Sequence, residues 1–284
     1  MNKEESNVKQ KEFWSGKGGT SWVSDKKNMD KMLYDFGAQA LKQLNLNIGD
    51  NVLDIGCGTG KTTEIISKHV GDNGSVTGVD ISELMIAHAK EVNDQNNIQN
   101  TIYKVMDVQT DTLCASLFNH AYSRFGVMFF DQPQLAFKNI YNALRPKGSL
   151  SFICWQGPQE NPWHSVTQKI IGSYFDLPPI TDIRAPSPFA FQEAEYIRET
   201  LKTVNFSNIE IKPFKTEMIW FEGQTVEYAA KAMLERNPII AEQILNVSQC
   251  KIEEIINKLI NSYTQFYSDG LKFPSAAWLV YGEK

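Results

Sequence analysis

The fold is decided by the stretch Val52-Leu53-Asp54-Ile55-Gly56-Cys57-Gly58-Thr59-Gly60. Residues 51–55 form the pattern of a short buried strand, and a helical pattern over residues 61–70 follows the last glycine. Glycines spaced two apart allow left-handed backbone angles and a close approach to a ligand. The start of the helix offers free N–H groups and a partial positive charge, which suit a carboxylate or a phosphate. The stretch therefore predicts a ligand-binding loop between a strand and a helix.

Two phosphate-binding motifs overlap this loop, and each fails at one residue. A P-loop requires G-x-x-x-x-G-K-[ST]; Gly60-Lys61-Thr62 supplies its end, but its first glycine would fall on Ile55. A dinucleotide fingerprint, G-x-G-x-x-G, that starts at Gly56 would place its third glycine on Lys61. The loop therefore favours a ligand without a pyrophosphate.

Acidic residues end the next two predicted strands. Asp80 closes Gly78-Val79-Asp80, the position at which an acid binds ribose hydroxyls. A helix N-cap is the alternative, although Ser82 is the better cap. Asp107 follows the third strand and could accept a hydrogen bond from an adenine amino group, with an Asx-turn as the alternative. The loop and the two acids therefore predict one crevice at the topological switch point of a parallel sheet.

Strand and helix patterns alternate from residue 51 to residue 155, which predicts parallel strands joined by crossover helices. The predicted strands span 51–55, 75–80, 101–106, 121–125 and 149–155, then 208–220 and 276–281. The predicted helices span 30–44, 61–70, 82–93 and 134–144, a weaker one near 111–117, and then 164–175, 192–204, 225–235 and 249–266. Phe13 to Val23, rich in glycine and aromatic residues, is predicted to be an ordered arm.

These patterns divide the chain into four parts. Residues 1–48 are an N-terminal arm and helix, and 49–155 are the ligand-binding core. Residues 156–191 hold six of the eleven prolines and are too long for a plain connection, which predicts an insertion or lid. Residues 192–284 complete the sheet and contain a helical cap at 225–267.

Composition excludes several classes of protein. The chain has 284 residues, of which 42% are hydrophobic, and a net charge of −5 without a Lys/Arg block, which argues against nucleic acid as a partner. Its apolar stretches fall short of the roughly 20 residues of a membrane span, and the polar residues 1–11 predict a frayed leader. The four cysteines lack metal spacing, which predicts a reducing cytoplasm and no metal site. They are Cys57, Cys114, Cys154 and Cys250. Nothing distinguishes a monomer from a homodimer.

The motifs together resemble those of class I S-adenosylmethionine-dependent methyltransferases. Val52–Gly60 matches the first motif of that family, Gly78–Ser82 the acidic second, Met106-Asp107 the third, and Leu144–Leu150 the turn after the fourth helix. More narrowly, the chain is similar to the ubiquinone/menaquinone-biosynthesis-like subgroup of small-molecule methyltransferases. The resemblance implies a Rossmann-like, doubly wound, seven-stranded α/β sheet whose last strand is antiparallel, with helical cap or lid insertions. Asn119 and Lys147 depart from the family, where aspartate and glycine are usual.

The resemblance also implies a set of cofactor-binding residues. The methionine part of S-adenosylmethionine would be lined by Asp54, Gly56, Cys57, Gly58 and Gly60. Asp80 would hold the ribose, and the adenine would lie against Ile81, Met85, Asp107 and Val108. The backbone of Ser123 and Arg124 would meet the amino end of the cofactor.

Methyl transfer from a sulfonium is an in-line displacement, so alignment matters more than acid–base groups. His164 is the best candidate base, with a surface or capping histidine as the alternative. Arg124 would clamp an acidic substrate or form a structural ion pair. Four tryptophans would either wall the site and attract the sulfonium or pack in the core. They are Trp14, Trp22, Trp155 and Trp163.

The leading hypothesis is therefore methyl transfer to a small-molecule acceptor. A non-catalytic protein that binds S-adenosylmethionine or S-adenosylhomocysteine is the first alternative, because the chemistry requires no particular side chain. An NAD(P) oxidoreductase is the second, and Lys61 in place of a glycine argues against it.

Overall fold

The computed structural model of the chain describes residues 7–237, 240 and 243–284. The described residues form two compact units. The first unit runs to Trp155 and also contains Arg184–Phe214 and Ala277–Lys284. The second unit consists of Gln156–Ile183 and of the described part of Lys215–Ala276.

A seven-stranded sheet organises the first unit, in the order β3-β2-β1-β4-β5-β7-β6. Strands β1 to β5 pair in parallel, and β7 runs antiparallel to β5. The strands are β1 Asn51–Ile55, β2 Ser75–Asp80, β3 Thr101–Val105, β4 Phe118–Arg124, β5 Leu144–Trp155, β6 Ser207–Trp220 and β7 Leu271–Glu283. From β1 the chain continues to β2 and β3 on one side of the sheet, and β4 and β5 follow on the other side. The predicted switch point therefore lies between β1 and β4. The predicted fold is therefore confirmed.

The helices follow the predicted crossovers, with four differences. They are α1 Val8–Ser15, α2 Lys17–Ser24, α3 Lys26–Met32, α4 Tyr34–Lys42, α5 Lys61–Val70, α6 Glu83–Gln95, α7 Pro133–Ala143, α8 Pro162–Ile171, α9 Ala194–Thr203, α10 Val226–Glu235 and α11 Gln249–Tyr263. The predicted arm is a pair of short helices, α1 and α2. The predicted helix 30–44 is two helices that meet at Leu33. The prediction of a frayed leader over residues 1–11 was wrong from residue 8 onward, because α1 begins at that residue. Residues 1–6 lie outside the described residues.

The weak helix predicted near residues 111–117 was wrong, because side chains satisfy this backbone instead. The amide of Asn139 donates to the carbonyl oxygens of Val108 at 2.8 Å and Asp111 at 2.6 Å. The carboxylate of Asp111 accepts from the N–H of Asp107 at 2.9 Å. Such side-chain bonds compete with the helical ladder and favour turns.

The second unit has its own hydrophobic core, built from α8, α10 and α11. Ile171, Ala229, Leu259 and Tyr263 are fully buried there. The hydroxyls of Thr167 and Tyr263 share a hydrogen bond of 2.6 Å, so the buried polar groups of α8 and α11 satisfy each other. No helix among the described residues is both long and apolar enough to cross a membrane.

Candidate functional site

The glycine loop connects β1 to α5 at the carboxyl end of the sheet. Gly56, Gly58 and Gly60 all have positive φ, at 64°, 55° and 86°. A Cβ on Gly56 would lie 2.9 Å from the Cα of Gly126, so the loop and the chain after β4 are in direct backbone contact. Only glycine fits this conformation and this approach. The structure thus places the three glycines where a ligand-binding loop needs them.

Asp54 ends β1 beneath this loop and is fully buried. Its Oδ2 accepts hydrogen bonds from the hydroxyls of Thr62 and Thr63, both at 2.6 Å. Its Oδ1 is buried and has no hydrogen-bond partner among the residues that the structure describes. Burial raises the pKa of Asp54 to about 6, although the two threonine hydroxyls oppose the shift. The site therefore holds a buried acceptor oxygen that no described residue hydrogen-bonds, although the charge of Arg124 acts on this carboxylate and opposes the rise of its pKa.

Asp80 ends β2 and connects the glycine loop to α6. Its Oδ2 accepts from the N–H of Gly58 at 2.9 Å, and its Oδ1 accepts from the N–H of Ser82 at 2.9 Å. Ser82, not Asp80, caps α6, because its hydroxyl accepts from the N–H of Met85 at 3.2 Å. A carboxylate offers about four lone-pair positions, so Asp80 keeps two for hydroxyl donors.

Asp107 lies after β3 and forms the Asx-turn that was its alternative reading. Its Oδ1 accepts from the backbone N–H of Gln109 at 3.0 Å. Val108 beside it is buried, as is Met85 of α6, while Ile81 is half-buried. The turn uses one carboxylate oxygen, so a role of Asp107 toward adenine stays a prediction.

Ser123 and Arg124 end β4 with different roles. The hydroxyl of Ser123 donates to the carbonyl oxygen of Ile55 at 2.7 Å and so fixes the start of the glycine loop. The guanidinium of Arg124 lies 2.9 Å from the carboxylate of Asp30 and is only 9% exposed. This geometry favours the structural ion pair over a substrate clamp, because the charge of Arg124 is already compensated.

The α1–α2 segment contacts the glycine loop through aromatic residues. A Cβ on Gly58 would lie 3.7 Å from the indole nitrogen of Trp22 and 3.6 Å from the sulfur of Met85. Trp14 packs edge-on against Trp22 and Phe129, with ring centroids 6.2 and 5.0 Å apart. Its carbonyl oxygen also accepts from the hydroxyl of Ser82 at 2.8 Å. Trp22 therefore lies at the predicted cofactor loop.

Trp155 instead belongs to the core of the first unit. It is 6% exposed, and its ring stacks on Phe125 at a centroid distance of 4.1 Å. Cys57 is likewise buried, and burial raises the pKa of its thiol, so the side chain is a packing group of the loop. In the described part of the chain, no group of three His, Cys, Asp or Glu side chains is arranged to hold a metal ion.

His164 lies in α8, which belongs to the second unit. Its backbone N–H donates to the carbonyl oxygen of Asn161 at 3.0 Å, and its ring lies edge-on to Trp163 at 5.7 Å. Burial lowers the pKa of its imidazole to about 4. The ring is therefore neutral at pH 7, as a base must be, but its basicity is reduced.

Sequence reasoning missed the residues that support the acids. Thr62 and Thr63 supply two of the hydrogen bonds of Asp54, and Gly126 makes room for Gly56. The threonines had a readable signal, since hydroxyls in the first turn of the helix after the loop lie near the strand end. Gly126 had none, because the tertiary fold alone brings it to the loop.

The family model and the relatives that this chain resembles are methyltransferases. Residues 52–148 match a family model described as a methyltransferase domain. The chain is 29% identical over 207 residues to the juvenile hormone acid O-methyltransferase of Bombyx mori, an alignment that covers 67% of this chain and 68% of that protein. It is 27% identical over 189 residues to the demethylmenaquinone methyltransferase of Staphylococcus saprophyticus, covering 62% of this chain and 78% of the relative.

A solved structure shares the fold. Phosphoethanolamine N-methyltransferase 2 of Haemonchus contortus, in complex with S-adenosyl-L-methionine, superposes with a TM-score of 0.53 at 19% identity. The match covers 88% of this chain and 52% of that one, so this chain spans about half the length of the nematode protein.

Proposed function

Because the chain is a class I S-adenosylmethionine-dependent methyltransferase, we propose that it transfers a methyl group to a small-molecule acceptor by in-line displacement. The curated relatives support a small acceptor, since one is named for juvenile hormone acid and the other for demethylmenaquinone. The residues of the crevice support the cofactor.

The observation that carries the proposal is the pair of carboxylates, Asp54 and Asp80, on either side of the glycine loop. The buried Oδ1 of Asp54 lacks a partner among the described residues, and the ammonium group of a methionine moiety would supply one. Asp80 retains acceptor positions for two ribose hydroxyls beside its bonds to Gly58 and Ser82. A pyrophosphate would instead add negative charge next to two acids. The residues therefore fit adenosine joined to an amino acid.

The remaining residues of the crevice would shape this site. Ile81, Met85 and Val108 would lie against the adenine, and Asp107 would accept from its amino group. Trp22 would cover the loop at Gly58, where its indole nitrogen already lies close. These roles are proposals that rest on position, and each side chain can be substituted singly.

S-adenosylmethionine supplies a methyl group on a sulfonium, which makes the leaving group reactive without help from the protein. The chain must orient the cofactor and the acceptor and exclude water, which supplies roughly 7–11 kcal/mol of a barrier when the alignment is good. A base is needed only when the acceptor loses a proton. His164 is the proposed base for that case because it follows β5 in the sequence; burial keeps its imidazole neutral at pH 7 but also reduces its basicity.

We also propose a cytoplasmic location and no nucleic-acid partner. All four cysteines are free, as a reducing compartment requires. The net charge of −5 disfavours phosphate backbones.

Two measurements test the function. Isothermal titration is expected to show micromolar or tighter binding of S-adenosylmethionine and S-adenosylhomocysteine. Asp80→Asn should weaken this binding about a hundredfold or more, while Asp72→Asn, at an exposed turn, leaves it unchanged. Release of S-adenosylhomocysteine is then followed with panels of carboxylic acids, quinols and amines. Binding without turnover on any panel would support the non-catalytic alternative, and no binding would reject both.

A further inference from the structure

The α1–α2 segment, residues 8–24, bridges the two sides of the proposed cofactor crevice. On one side, the carbonyl oxygen of Trp14 accepts a hydrogen bond of 2.8 Å from the hydroxyl of Ser82, which follows β2. On the other side, the ring of Trp14 packs edge-on against Phe129, which follows β4, at a centroid distance of 5.0 Å. Because β1 lies between β2 and β4 in the sheet, the segment crosses the glycine loop that follows β1.

Within this bridge, Trp22 lies directly at the loop. A Cβ on Gly58 would lie only 3.7 Å from the indole nitrogen of Trp22, and the indole is itself half-buried. The N–H of Gly58 donates to Asp80, the proposed ribose ligand, at 2.9 Å. A cofactor that reaches Asp80 beside Gly58 is therefore covered by Trp22.

The segment is held to the rest of the first unit by few contacts. Of the described residues 8–24, only Gly19 is buried, and no described side chain caps the start of either helix. Each helix has eight residues, fewer than the roughly 12–15 that an isolated helix needs, so both helices depend on docking. The ion pair between Lys11 and Glu83, at 4.0 Å, is exposed and contributes little. The segment can therefore detach while the sheet stays folded.

The docked arrangement depends on two glycines of α2. A Cβ on Gly19 would lie 1.9 Å from the carbonyl oxygen of Trp14 and 3.3 Å from the hydroxyl oxygen of Ser82. A Cβ on Gly18 would lie 2.5 Å from the ring of Phe13. A side chain at either position would prevent this packing, so the sequence is suited to the docked arrangement.

The chain is firmly anchored just after the segment. Asp30 of α3 pairs with Arg124 of β4 at 2.9 Å, and the two side chains are only 17% and 9% exposed. The stem of Arg124 fits against Gly37 of α4, where a Cβ would lie 2.9 Å from its Cδ. Movement of the segment is therefore confined to residues that precede Asp30.

Ser82 connects the segment to the proposed ribose ligand. Its backbone N–H donates to Oδ1 of Asp80 at 2.9 Å, while its hydroxyl donates to the carbonyl oxygen of Trp14. A ligand that fixes Asp80 also fixes Ser82, and it thereby favours the docked segment over the detached one.

We propose that the α1–α2 segment is a lid of the cofactor crevice, which opens to admit the cofactor and closes on it through Trp22 and Ser82. This inference rests on the proposed function, since it takes the crevice to be the S-adenosylmethionine site. The lid is docked before the cofactor arrives, so both entry and release of the cofactor wait for it to open.

Stopped-flow tryptophan fluorescence of the full chain with S-adenosylhomocysteine tests the lid, with Trp22 as the reporter. Trp14→Ala removes the contact with Phe129, and Gly19→Ala places a Cβ against the backbone of Trp14, so both variants should favour the open lid. Each is expected to raise the association rate constant about threefold or more and the dissociation rate constant about tenfold or more. Val8→Ala, at an exposed position of α1, is the matched control and should change neither.

Faster association is the result that a purely structural role would not produce. A loosened site would release the ligand sooner without admitting it sooner, whereas a lid delays both steps. Circular dichroism during thermal unfolding verifies that each variant folds. The lid is overturned if neither variant increases the association rate constant.

Limited digestion of the native chain with trypsin tests the lid without any substitution. Lys17 is exposed at the start of α2, and cleavage after it requires the segment to open, because a protease needs extended backbone. Saturating S-adenosylhomocysteine should slow this cleavage about tenfold or more, as measured by mass spectrometry. Lys202, an exposed residue of α9 in the same unit, is the control site and should be cleaved at an unchanged rate. Protection at Lys17 no greater than at Lys202 overturns the lid.

These measurements separate the lid from the function on which it rests. If S-adenosylhomocysteine does not bind the native chain, the proposed cofactor site is rejected, and the lid with it. If it binds the native chain, but association is unchanged in both variants or Lys17 gains no specific protection, only the lid is rejected.

Discussion

The two ends of the central strands both carry polar residues, but those at the amino ends are hydrogen-bonded to one another, whereas the carboxyl ends keep an acceptor without a partner among the described residues. At the amino ends of β1 and β4, the imidazole of His120 lies 3.2 Å from the carboxylate of Asp50 and 2.7 Å from the hydroxyl of Ser149. Asn119 accepts there from the N–H of Asn51 at 2.9 Å. At the carboxyl ends, Asp54 keeps a buried oxygen without a partner among the described residues.

This difference separates stability from function. Buried polar groups are almost always hydrogen-bonded, so a closed network is what folding alone would select. An open acceptor reduces stability and persists where a ligand completes it. The amino ends are therefore expected to control unfolding, and the carboxyl ends to control binding of the cofactor.

The largest effect that would sharpen this contrast is expected from Asp80→Asn. Charge-assisted hydrogen bonds contribute about 1.5–3 kcal/mol each, so losing those to two ribose hydroxyls should weaken S-adenosylhomocysteine binding about a hundredfold or more. Titration calorimetry measures the affinity. The matched variant at the other end, Asp50→Asn, should leave that affinity unchanged and lower the free energy of unfolding by about 1–2 kcal/mol. Equal losses of affinity in both variants would abolish the proposed division.

Asp54→Asn should separate binding from stability at one residue. The raised pKa of about 6 means that the folded chain disfavours the ionised form, so this carboxyl lowers stability progressively as pH rises from 3.8 to about 6. Removing the charge should therefore raise the unfolding free energy of the unliganded protein at pH 7 by about 1 kcal/mol or more. Denaturant unfolding at pH 4 and pH 7 measures this, and a destabilised variant at pH 7 would contradict it.

The raised pKa of Asp54 also predicts that cofactor binding depends on pH. An ammonium group next to Asp54 favours the carboxylate, so binding below pH 6 must release a proton. The affinity for S-adenosylhomocysteine is expected to fall by up to about tenfold per pH unit below 6, and Asp54→Asn should remove this slope. Calorimetry in buffers of different ionisation enthalpy counts the proton directly.

At the amino ends the pH dependence should appear in stability instead. Burial lowers the pKa of His120, against the opposing charge of Asp50, so its neutral form is favoured in the folded chain. The stability that the neutral imidazole of His120 contributes is fully present above pH 6.5, the pKa of histidine in the unfolded chain. It is lost as the pH falls toward the lowered pKa of the folded chain, at no more than about 1.4 kcal/mol per pH unit. Urea unfolding of His120→Gln between pH 7.5 and 5 should show a shallower decline than the native chain. His69→Gln, on the exposed end of α5, serves as the control.

The sequence predicts one end of the strands far better than the other. The glycine loop, Asp80 and Asp107 each follow a strand whose local pattern can be read from the sequence, and the carboxyl ends of parallel strands meet at one edge of the sheet. His120, Asp50 and Ser149 meet only because strand register brings His120 opposite Ser149, which no local pattern reveals. The helix predicted near 111–117 failed for the same reason, since Asn139 lies far away in sequence.

Two residues that depart from the family pattern, Asn119 and Lys147, bear on the stability of the chain. Asn119 replaces a usual aspartate but retains the acceptor oxygen, because its amide carbonyl binds the N–H of Asn51 at 2.9 Å. The support of β1 therefore survives the loss of charge. Lys147 replaces a usual glycine at a position with φ of 65°, where a side chain is strained.

Lys147→Gly is the smallest predicted change and the amino-end counterpart of Asp54→Asn. Glycine relieves a left-handed strain of about 1–2 kcal/mol but increases the entropy of the unfolded chain, so the net stabilisation should be about 0.5–1 kcal/mol. Gly148→Ala is the matched control, since its Cβ would lie 2.8 Å from the carbonyl oxygen of Arg145 and should destabilise. Neither variant should change the affinity for S-adenosylhomocysteine. A change in affinity would show that strain at the amino ends reaches the crevice, so that stability and binding are not divided between the two ends of the strands.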